Sequence, residues 1–233
     1  MTFSWFGFFR DAAPAPALDP SVLDGVVAML RGVAGLRQGQ VFSPTARETA
    51  HPFPDNERSP ALALQLHFDA IEALEAAVAA DGPLRSLAEA HGGGGRVVTQ
   101  QAMLTRRFPV PDAVLRTPAG GLPCSYLVQY PGPAVDLNAW HAHYNRHHPP
   151  LMAKFPGVRG IEIYTRIDWV AGLPWRREDM MQRNKLLFDS PEALSAGLLS
   201  PVLQEMRADF NLFPPFEGGN VHYVLETRFV RPR

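Results

Sequence analysis

Histidines and aromatic residues are concentrated in one segment of the chain, residues 140–160 (WHAHYNRHHPPLMAKFPGVRG). Apolar and aromatic side chains recur there at helical steps of three and four, which predicts an amphipathic helix with a stripe formed by Leu137, Trp140, Tyr144, His147 and Leu151. Proline disfavours the helical conformation in the residue before it, so Pro149-Pro150 predicts that the helix ends or kinks at His148. An imidazole would then lie at a helix C-terminus, close to the buried face.

The position predicted for His148 favours acid–base chemistry. A helix C-terminus stabilises the protonated imidazole, whereas burial stabilises the neutral one. Because the two effects oppose each other, we expect a pKa near neutrality, which suits proton transfer or a hydrogen bond to an anionic oxygen. The alternative is that His148 only caps the last carbonyl groups of the helix.

The neighbouring histidines are weaker candidates for a functional role. His143 and His147 are four residues apart, a spacing that can chelate a metal ion, but Asp136 is the only carboxylate near them in the sequence. We therefore predict no metal site. His147 shares the stripe with Tyr144, so it packs, faces solvent or contributes to a substrate-binding site.

Several aromatic residues in and around this segment are either core residues or the wall of an apolar cavity: Trp140, Tyr144, Tyr130 and Tyr164. As a wall they would surround an aromatic ligand, with a tyrosine hydroxyl at the end of the cavity. Trp169 and Trp175 lie in a predicted loop beside Arg176 and Arg177, where they form a lid or an interface patch.

The composition excludes several classes of protein. A net charge of -1 argues against binding to nucleic acid or to a membrane surface, both of which need a basic face. The single cysteine, Cys124, excludes an internal disulfide and a cysteine-rich metal site. No apolar run is long enough to span a membrane, and the N-terminus lacks the features of a signal peptide. We expect a soluble, cytoplasmic protein with a hydrophobic fraction, 46%, sufficient for a sizeable core.

Short matches in the same order indicate an internal duplication. The first match pairs Gly35-Leu36-Arg37 with Gly157-Val158-Arg159. The second pairs Phe68-Asp69 and residues 72–74 with Phe188-Asp189 and residues 192–194. The third pairs Leu104 and Arg107-Phe108 with Leu225 and Arg228-Phe229. We therefore predict two related halves, residues 1–110 (the first half) and residues 124–233 (the second half), joined by a linker at 111–123.

Hydrophobic patterns in the second half predict the order β-α-β-β-α-β, the ferredoxin-like unit, with Asp136 as the N-cap of the histidine-bearing helix. The first half fits the same template, with a long proline-rich loop at residues 43–60 and a glycine turn at 92–95. Each four-stranded sheet needs a cover for the face without helices. The predicted fold is thus α+β, two ferredoxin-like βαββαβ units packed sheet to sheet as a pseudo-dimeric α+β barrel within one chain.

The pattern Tyr144-x-x-x-His148-x-Pro150-Leu151, followed by residues 155–160 (FPGVRG), resembles the EthD-like group of the dimeric α+β barrel superfamily. The resemblance implies the same ferredoxin-like fold. It also implies a relation to proteins of ether degradation, muconolactone isomerases, and cofactor-free monooxygenases or cyclases of aromatic polyketides. Val26 stands where the helical histidine would fall in the first half, so the resemblance implies one working site per barrel.

The leading hypothesis is a small-molecule enzyme, with no cofactor predicted, that acts on an apolar or aromatic carbonyl compound by isomerisation, cyclisation or oxygenation. His148 would move a proton, Tyr144 would hydrogen-bond the developing oxyanion, and the substrate would contact Trp140, His147, Tyr130 and Tyr164. The alternatives are a non-catalytic binding protein for a hydrophobic ligand and a haem protein with His148 or His222 as axial ligand. Whether the duplicated chain also forms a homodimer stays open.

Overall fold

A computed structural model describes residues 2–12, 17–45, 58–91 and 95–232 of the chain. The loop predicted at 43–60 and the glycine turn at 92–95 lie largely outside these residues. The strands are β1 (Thr2–Asp11), β2 (Leu36–Pro44), β3 (Leu62–Phe68), β4 (Arg96–Phe108), β5 (Cys124–Tyr130), β6 (Val158–Arg166), β7 (Arg176–Arg177), β8 (Gln182–Phe188) and β9 (Val221–Val230). The helices are α1 (Pro20–Leu30), α2 (Ile71–Ala77), α3 (Arg85–His91), α4 (Leu137–Met152), α5 (Pro191–Leu198) and α6 (Val202–Phe210).

Eight antiparallel strands close into one barrel. The order around it is β1-β3-β2-β9-β5-β8-β6-β4, and β4 pairs with β1 to close the circle. The first half contributes the run β4-β1-β3-β2 and the second half the run β9-β5-β8-β6, so the same strand order recurs. The short strand β7 adds a parallel pair of residues to the edge of β4.

The prediction of an α+β barrel is confirmed. The expectation that two separate sheets pack face to face is wrong. The strands β2 and β9 are hydrogen-bonded neighbours, as are β4 and β6. The molecule is therefore one continuous barrel and not two ferredoxin-like units packed sheet to sheet. The physical reason is that the edge strands of each half present unpaired N–H and C=O groups, and pairing them with the other half satisfies both sets.

The barrel interior holds a polar network as well as aromatic side chains. The ammonium group of Lys185 on β8 donates to Gln40 Oε1 on β2 and to Gln65 Oε1 on β3, each at 2.6 Å. It also lies 2.8 Å from Glu162 Oε2 on β6. Because these strands come from different sides of the barrel, side chains that reach one another across it must point inward.

The outer faces of the strands pack against the helices in two separate apolar clusters. One cluster belongs to the first-half strands and helices, and includes Trp169, Leu173 and Trp175 from the loop that follows β6. The other belongs to the second half and includes Trp140, Tyr144 and Phe155. Within the described ranges, none of the helices has the length and apolar character that crossing a bilayer requires.

Helix α4 begins as predicted but ends later. The side chain of Asp136 caps it by accepting a hydrogen bond from the Ala139 amide at 2.9 Å. Of the end or kink predicted at His148, the end is wrong, because the helix continues through Pro149 and Pro150 to Met152. The φ angle of proline is itself helical, so Pro149 and Pro150 can adopt the helical conformation. The two prolines remove only two amide donors, both near the end of the helix. The burial of Pro149 and Met152 against the core stabilises this part of the helix.

The buried stripe of α4 also differs from the predicted one near its end. Besides Pro149, the buried residues are Trp140, Tyr144, His148 and Met152, at regular steps of four, whereas His147 is exposed. Continuation of the helix through the prolines therefore turns His148, and not His147, toward the core.

Candidate functional site

A cavity of about 320 Å³ lies between the outer face of the second-half strands and the helices α4, α5 and α6. A volume of this size suits a small organic ligand. Most of the lining surface is apolar, although half of the lining residues carry a polar group. The apolar residues are Val128, Met152, Phe155, Leu186, Leu198, Leu203, Met206 and Phe210, and the others are Tyr126, Tyr130, His148, Asn184, Arg207, Asn211, Asn220 and His222.

His148 is a buried polar group of this wall. It is 4% exposed, and its Nδ1 lies 2.7 Å from Asp209 Oδ2 on α6. The other carboxylate oxygen of Asp209 lies 3.0 Å from His143 Nε2, one turn earlier on α4. One carboxylate thus bridges two imidazoles, and it holds α6 against α4.

Burial sets the charge state of this group. It lowers the pKa of His148, because a buried imidazolium loses its hydration, and the opposing effect of the Asp209 carboxylate does not restore the ordinary value. Burial acts to raise the pKa of Asp209, but the hydrogen bonds from His148 and His143 outweigh it and hold that pKa below its ordinary value. The pair therefore consists of a neutral imidazole and an ionised carboxylate at neutral pH.

Aromatic rings fix the orientation of the His148 imidazole. The ring of Tyr144 lies 4.8 Å from it and the ring of Phe213 lies 5.0 Å from it, measured between centroids. Because these two rings pack against the imidazole, one tilted and one edge-on, rotation about its side-chain bonds is restricted. The hydrogen bond to Asp209 then determines which nitrogen remains for a ligand.

A second polar group lies at the inner end of the cavity. Asn184 on β8 is 1% exposed, and its Nδ2 donates to the Tyr144 hydroxyl at 2.7 Å. Its Oδ1 is buried and has no hydrogen-bond partner among the described residues. Burial raises the pKa of the Tyr130 hydroxyl, so this group stays protonated and able to donate. The inner end therefore offers both a hydrogen-bond donor and an acceptor.

A third polar pair lies across the cavity on neighbouring strands. The hydroxyl of Tyr126 on β5 is 3.0 Å from His222 Nδ1 on β9. Both residues line the cavity, so it has an imidazole on the helix side and another on the sheet side.

The residues predicted for the site separate into four locations. His148 and Tyr130 line the cavity, and Tyr144 and Trp140 lie fully buried directly behind it, with their rings stacked at 5.0 Å. His147 is exposed on the outer face of α4. Tyr164 points into the barrel, where its hydroxyl donates to Glu162 Oε2 at 2.7 Å.

The corresponding region of the first half is filled. The pairing of β1 with β3 matches that of β5 with β8 when Phe3 corresponds to Cys124, so Trp5, Phe9 and Leu64 take the places of Tyr126, Tyr130 and Asn184. Trp175 packs into this region, with its ring centroid 5.9 Å from Trp5 and 5.2 Å from Phe9.

The fit of Trp5 depends on a glycine next to it in the strand. A Cβ atom added at Gly7 would lie 2.5 Å from the Trp5 ring, so the absence of a side chain at Gly7 lets the indole lie across the strand. The Trp169/Trp175 loop is thus part of the first-half core. The polar residues that line the cavity in the second half are thus replaced by apolar ones in the first half, and the Trp175 ring fills the remaining space.

Sequence reasoning missed Asp209 and Asn184. Asp209 is 61 residues from His148 in the chain, and only the packing of α6 on α4 brings the two together. A signal was present, since Asp209 lies within the apolar pattern Leu203, Met206, Phe210, but it does not reveal the partner. Among the described residues, no group of three or more potential ligands could hold a metal ion.

No protein-family model matches the chain, and a search of curated protein sequences finds no match. Solved structures do resemble it. An anthrone oxidase-like protein superposes with a TM-score of 0.63 at 12% identity, covering 98% of this chain and 92% of that one. A presumed monooxygenase from Lactobacillus acidophilus gives 0.57 at 9% identity, covering 99% of this chain and 96% of that one.

An EthD-family protein from Bacillus halodurans aligns along its whole length with 48% of this chain at 18% identity, but its TM-score of 0.33 is too low to support an argument. The two similar structures with high coverage have the dimeric α+β barrel fold. At such low identities the likeness shows that this chain has this fold, and it shows nothing of the reaction.

Proposed function

We propose that this protein is a small-molecule enzyme in which His148 removes a proton from an apolar, ring-containing substrate. One observation carries the proposal: a buried imidazole lines an apolar cavity and has its Nδ1 held 2.7 Å from the Asp209 carboxylate. This bond favours the tautomer with the proton on Nδ1, which leaves the Nε2 lone pair to accept a proton. Burial keeps the imidazole neutral, and therefore able to accept a proton.

The inner end of the cavity supports a substrate with a carbonyl or enol oxygen. When His148 takes a proton from the carbon next to a carbonyl, negative charge develops on the oxygen, and a hydrogen-bond donor there lowers the barrier. The Tyr130 hydroxyl fills this role, because it lines the cavity and stays protonated. Tyr144, buried behind the wall, acts through its hydrogen bond with Asn184, and Trp140 supports Tyr144.

The proposal leaves out His147 and Tyr164, which lie on the outer face of α4 and inside the barrel. It places the site in an EthD-like repeat, residues 124–233, with residues 1–110 as a degenerate copy and 111–123 as the linker. The Tyr144-x-x-x-His148 motif and the recurring strand order support this division. The filled first-half region agrees with one working site per barrel.

Hydrogen–deuterium exchange tests the proposal without knowledge of the natural substrate. Anthrone is the first probe of a panel of aromatic carbon acids, because the similar anthrone oxidase-like protein carries its name. Under nitrogen in deuterated buffer, the protein should speed deuterium uptake at the acidic methylene group. The His148→Gln variant should lose roughly 10²- to 10⁴-fold of that acceleration. His147→Gln, an exposed neighbour on the same helix, is the matched control and should behave as the wild type.

Equal exchange rates in the wild type and His148→Gln would refute the role of His148. A wild type that exchanges no carbon acid of the panel faster than buffer does would refute proton abstraction as the function.

A second candidate, a binding protein for haem or another hydrophobic ligand, has one observation in its favour. His148 and His222 line the same cavity, and each has its Nδ1 in a hydrogen bond, with Asp209 and Tyr126 respectively. Such hydrogen bonds orient imidazoles that ligate a haem iron, and a bound haem would supply redox chemistry. Titration with haemin separates the candidates: a Soret band that is lost in both His148→Gln and His222→Gln would favour haem binding.

A further inference from the structure

One buried polar atom in the wall of the cavity has no hydrogen-bond partner. This atom is Oδ1 of Asn184 on β8, and it accepts no hydrogen bond from the part of the chain that the structure describes. Other buried side-chain atoms of the described residues also lack a partner, but none of their residues lines the cavity. An unpaired buried acceptor costs free energy, and a ligand that donates a hydrogen bond at this point removes the cost.

The contacts of the Asn184 amide determine which of its two ends faces a ligand. Its Nδ2 donates to the Tyr144 hydroxyl at 2.7 Å. Burial raises the pKa values of Tyr130 and Tyr144, and the contact between them acts to lower that of Tyr130 and to raise that of Tyr144, as expected when Tyr144 donates to Tyr130. The Tyr144 hydroxyl has one hydrogen, so it must accept from Asn184. Oδ1 of Asn184, and not Nδ2, is left for a ligand.

A hydrogen-bond donor lies beside this acceptor. The Tyr130 hydroxyl lines the cavity, stays protonated and interacts with the Asn184 amide. The two side chains lie on the same face of neighbouring strands, because Asn184 pairs with Val128 and Tyr130 follows Val128 by two residues. The inner end of the cavity therefore suits a ligand that presents an acceptor and a donor side by side.

A lactam, an amide within a ring, presents this pair of groups. The ring holds the C=O and N–H bonds next to each other on the same side, where neither can bond the other. A hydroxyl group beside a carbonyl would instead bond it internally and leave Asn184 Oδ1 unpaired. Asn211 and Asn220 also line the cavity, but Asn211 is exposed and Asn220 is partly exposed, so water can reach their amides.

We propose that the substrate is a lactam within an apolar ring system, with its N–H bound by Asn184 Oδ1 and its carbonyl oxygen by the Tyr130 hydroxyl. The proposal rests on the proposed function, because it takes the C–H group next to the lactam carbonyl as the one that His148 attacks. Breakage of this bond leaves its electron pair on the substrate as an enolate and moves the proton to His148 Nε2. The N–H bond stays intact, so Asn184 determines specificity and takes no part in the proton transfer.

Two ring compounds of nearly the same size and shape test the recognition. Oxindole has an N–H group beside its carbonyl, whereas indan-2-one has a methylene group there. Calorimetry gives the Kd of each compound. The ratio of the indan-2-one Kd to the oxindole Kd should be about 10- to 100-fold higher in the wild type than in Asn184→Leu. Gln182→Leu is the matched control, since Gln182 is a buried amide on the same strand that does not line the cavity, and it should keep the wild-type ratio.

A third compound tests the wild type without any variant. N-methyloxindole lacks only the N–H donor of oxindole, and it should bind at least about tenfold more weakly. Equal ratios in the wild type and Asn184→Leu, or a wild type that binds oxindole no better than N-methyloxindole, would overturn the lactam assignment.

Deuterium uptake at the oxindole methylene group separates the two proposals. Uptake faster than in buffer, combined with equal binding ratios, would leave His148 as the base and remove only the lactam. Preferential binding of oxindole by a wild type that speeds uptake by neither oxindole nor the aromatic carbon acids would refute proton abstraction and leave the recognition by Asn184.

Discussion

His148 illustrates how two neighbours of one residue act in opposite directions on its charge. Burial lowers its pKa and Asp209 raises it, with burial the larger effect. Replacing Asp209 by Asn removes the negative charge that stabilises the imidazolium and leaves the burial unchanged. We therefore expect the pKa of His148 to fall further in Asp209→Asn. Titration of the ring nitrogens by NMR measures this, with His147→Gln as the control, and a rise in the pKa of His148 would contradict the assignment.

At Cys124, burial changes the pKa of the side chain and no neighbouring charge opposes the change. The thiol is fully buried on β5, and burial raises its pKa to about 12. We expect no alkylation by iodoacetamide in the folded protein at about pH 8, because the thiolate is scarce and inaccessible, and complete alkylation in urea. Mass spectrometry gives both measurements. Rapid labelling of the folded protein would mean that β5 opens to solvent at the end of the linker.

At the scale of elements, the loop between β6 and β8 belongs to the second half but fills part of the apolar core of the first half. Trp175 from this loop packs on Trp5 and Phe9 of β1. Trp175→Ala would leave a void there, and we expect it to lower the free energy of unfolding by about 3–5 kcal/mol. Urea unfolding measures the loss.

Arg177→Ala is the matched control for this loop. The Arg177 guanidinium lies 4.6 Å from the centre of the Trp169 ring at the surface, so its removal should cost no more than about 1 kcal/mol. If Trp175→Ala cost no more than Arg177→Ala, the loop would be a loosely held flap and not part of the core.

Local patterns predicted most of these elements, and the failures have a common cause. The Asp136 cap depends on neighbours in the sequence, and it is found. The end of α4 was misjudged because tertiary burial of Pro149 outweighs the local effect of proline. Asp209 was missed for the same reason, since its contact with His148 exists only after α6 packs on α4.

At the scale of the whole molecule, the charges inside the barrel must be paired for the fold to be stable. Burial acts to raise the pKa of Glu162, but Lys185 and His67 hold it well below its ordinary value, so the carboxylate is ionised. Lys185→Met would leave the exposed Arg107, 2.9 Å from Glu162 Oε1, as the remaining cation beside this charge, and we expect a loss of up to about 3–5 kcal/mol in urea unfolding. Lys185→Met combined with Glu162→Gln should recover most of the loss, and a double variant no better than the single one would contradict the pairing.

The same interior makes the stability of the fold depend on pH through His67. Burial lowers the pKa of His67 from 6.5 to about 4, although Glu162 opposes the shift. The unfolded chain therefore binds a proton near pH 6.5 that the folded chain refuses until about pH 4. Unfolding takes up a proton in this window, so stability is full above it and falls with decreasing pH by up to about 1.4 kcal/mol per pH unit.

Because the pKa of His148 is also lowered, it adds to the fall in the same direction. The pKa values of His91 and His141 are lowered too, so they contribute in the same direction. His67→Gln removes the contribution of His67 alone. Its free energy of unfolding should decline less steeply than that of the wild type between about pH 6.5 and 5, above the range in which carboxylates titrate. Urea unfolding at several pH values measures both slopes. Parallel declines would mean that His67 is already protonated in the folded barrel, with Glu162 as its ion-pair partner.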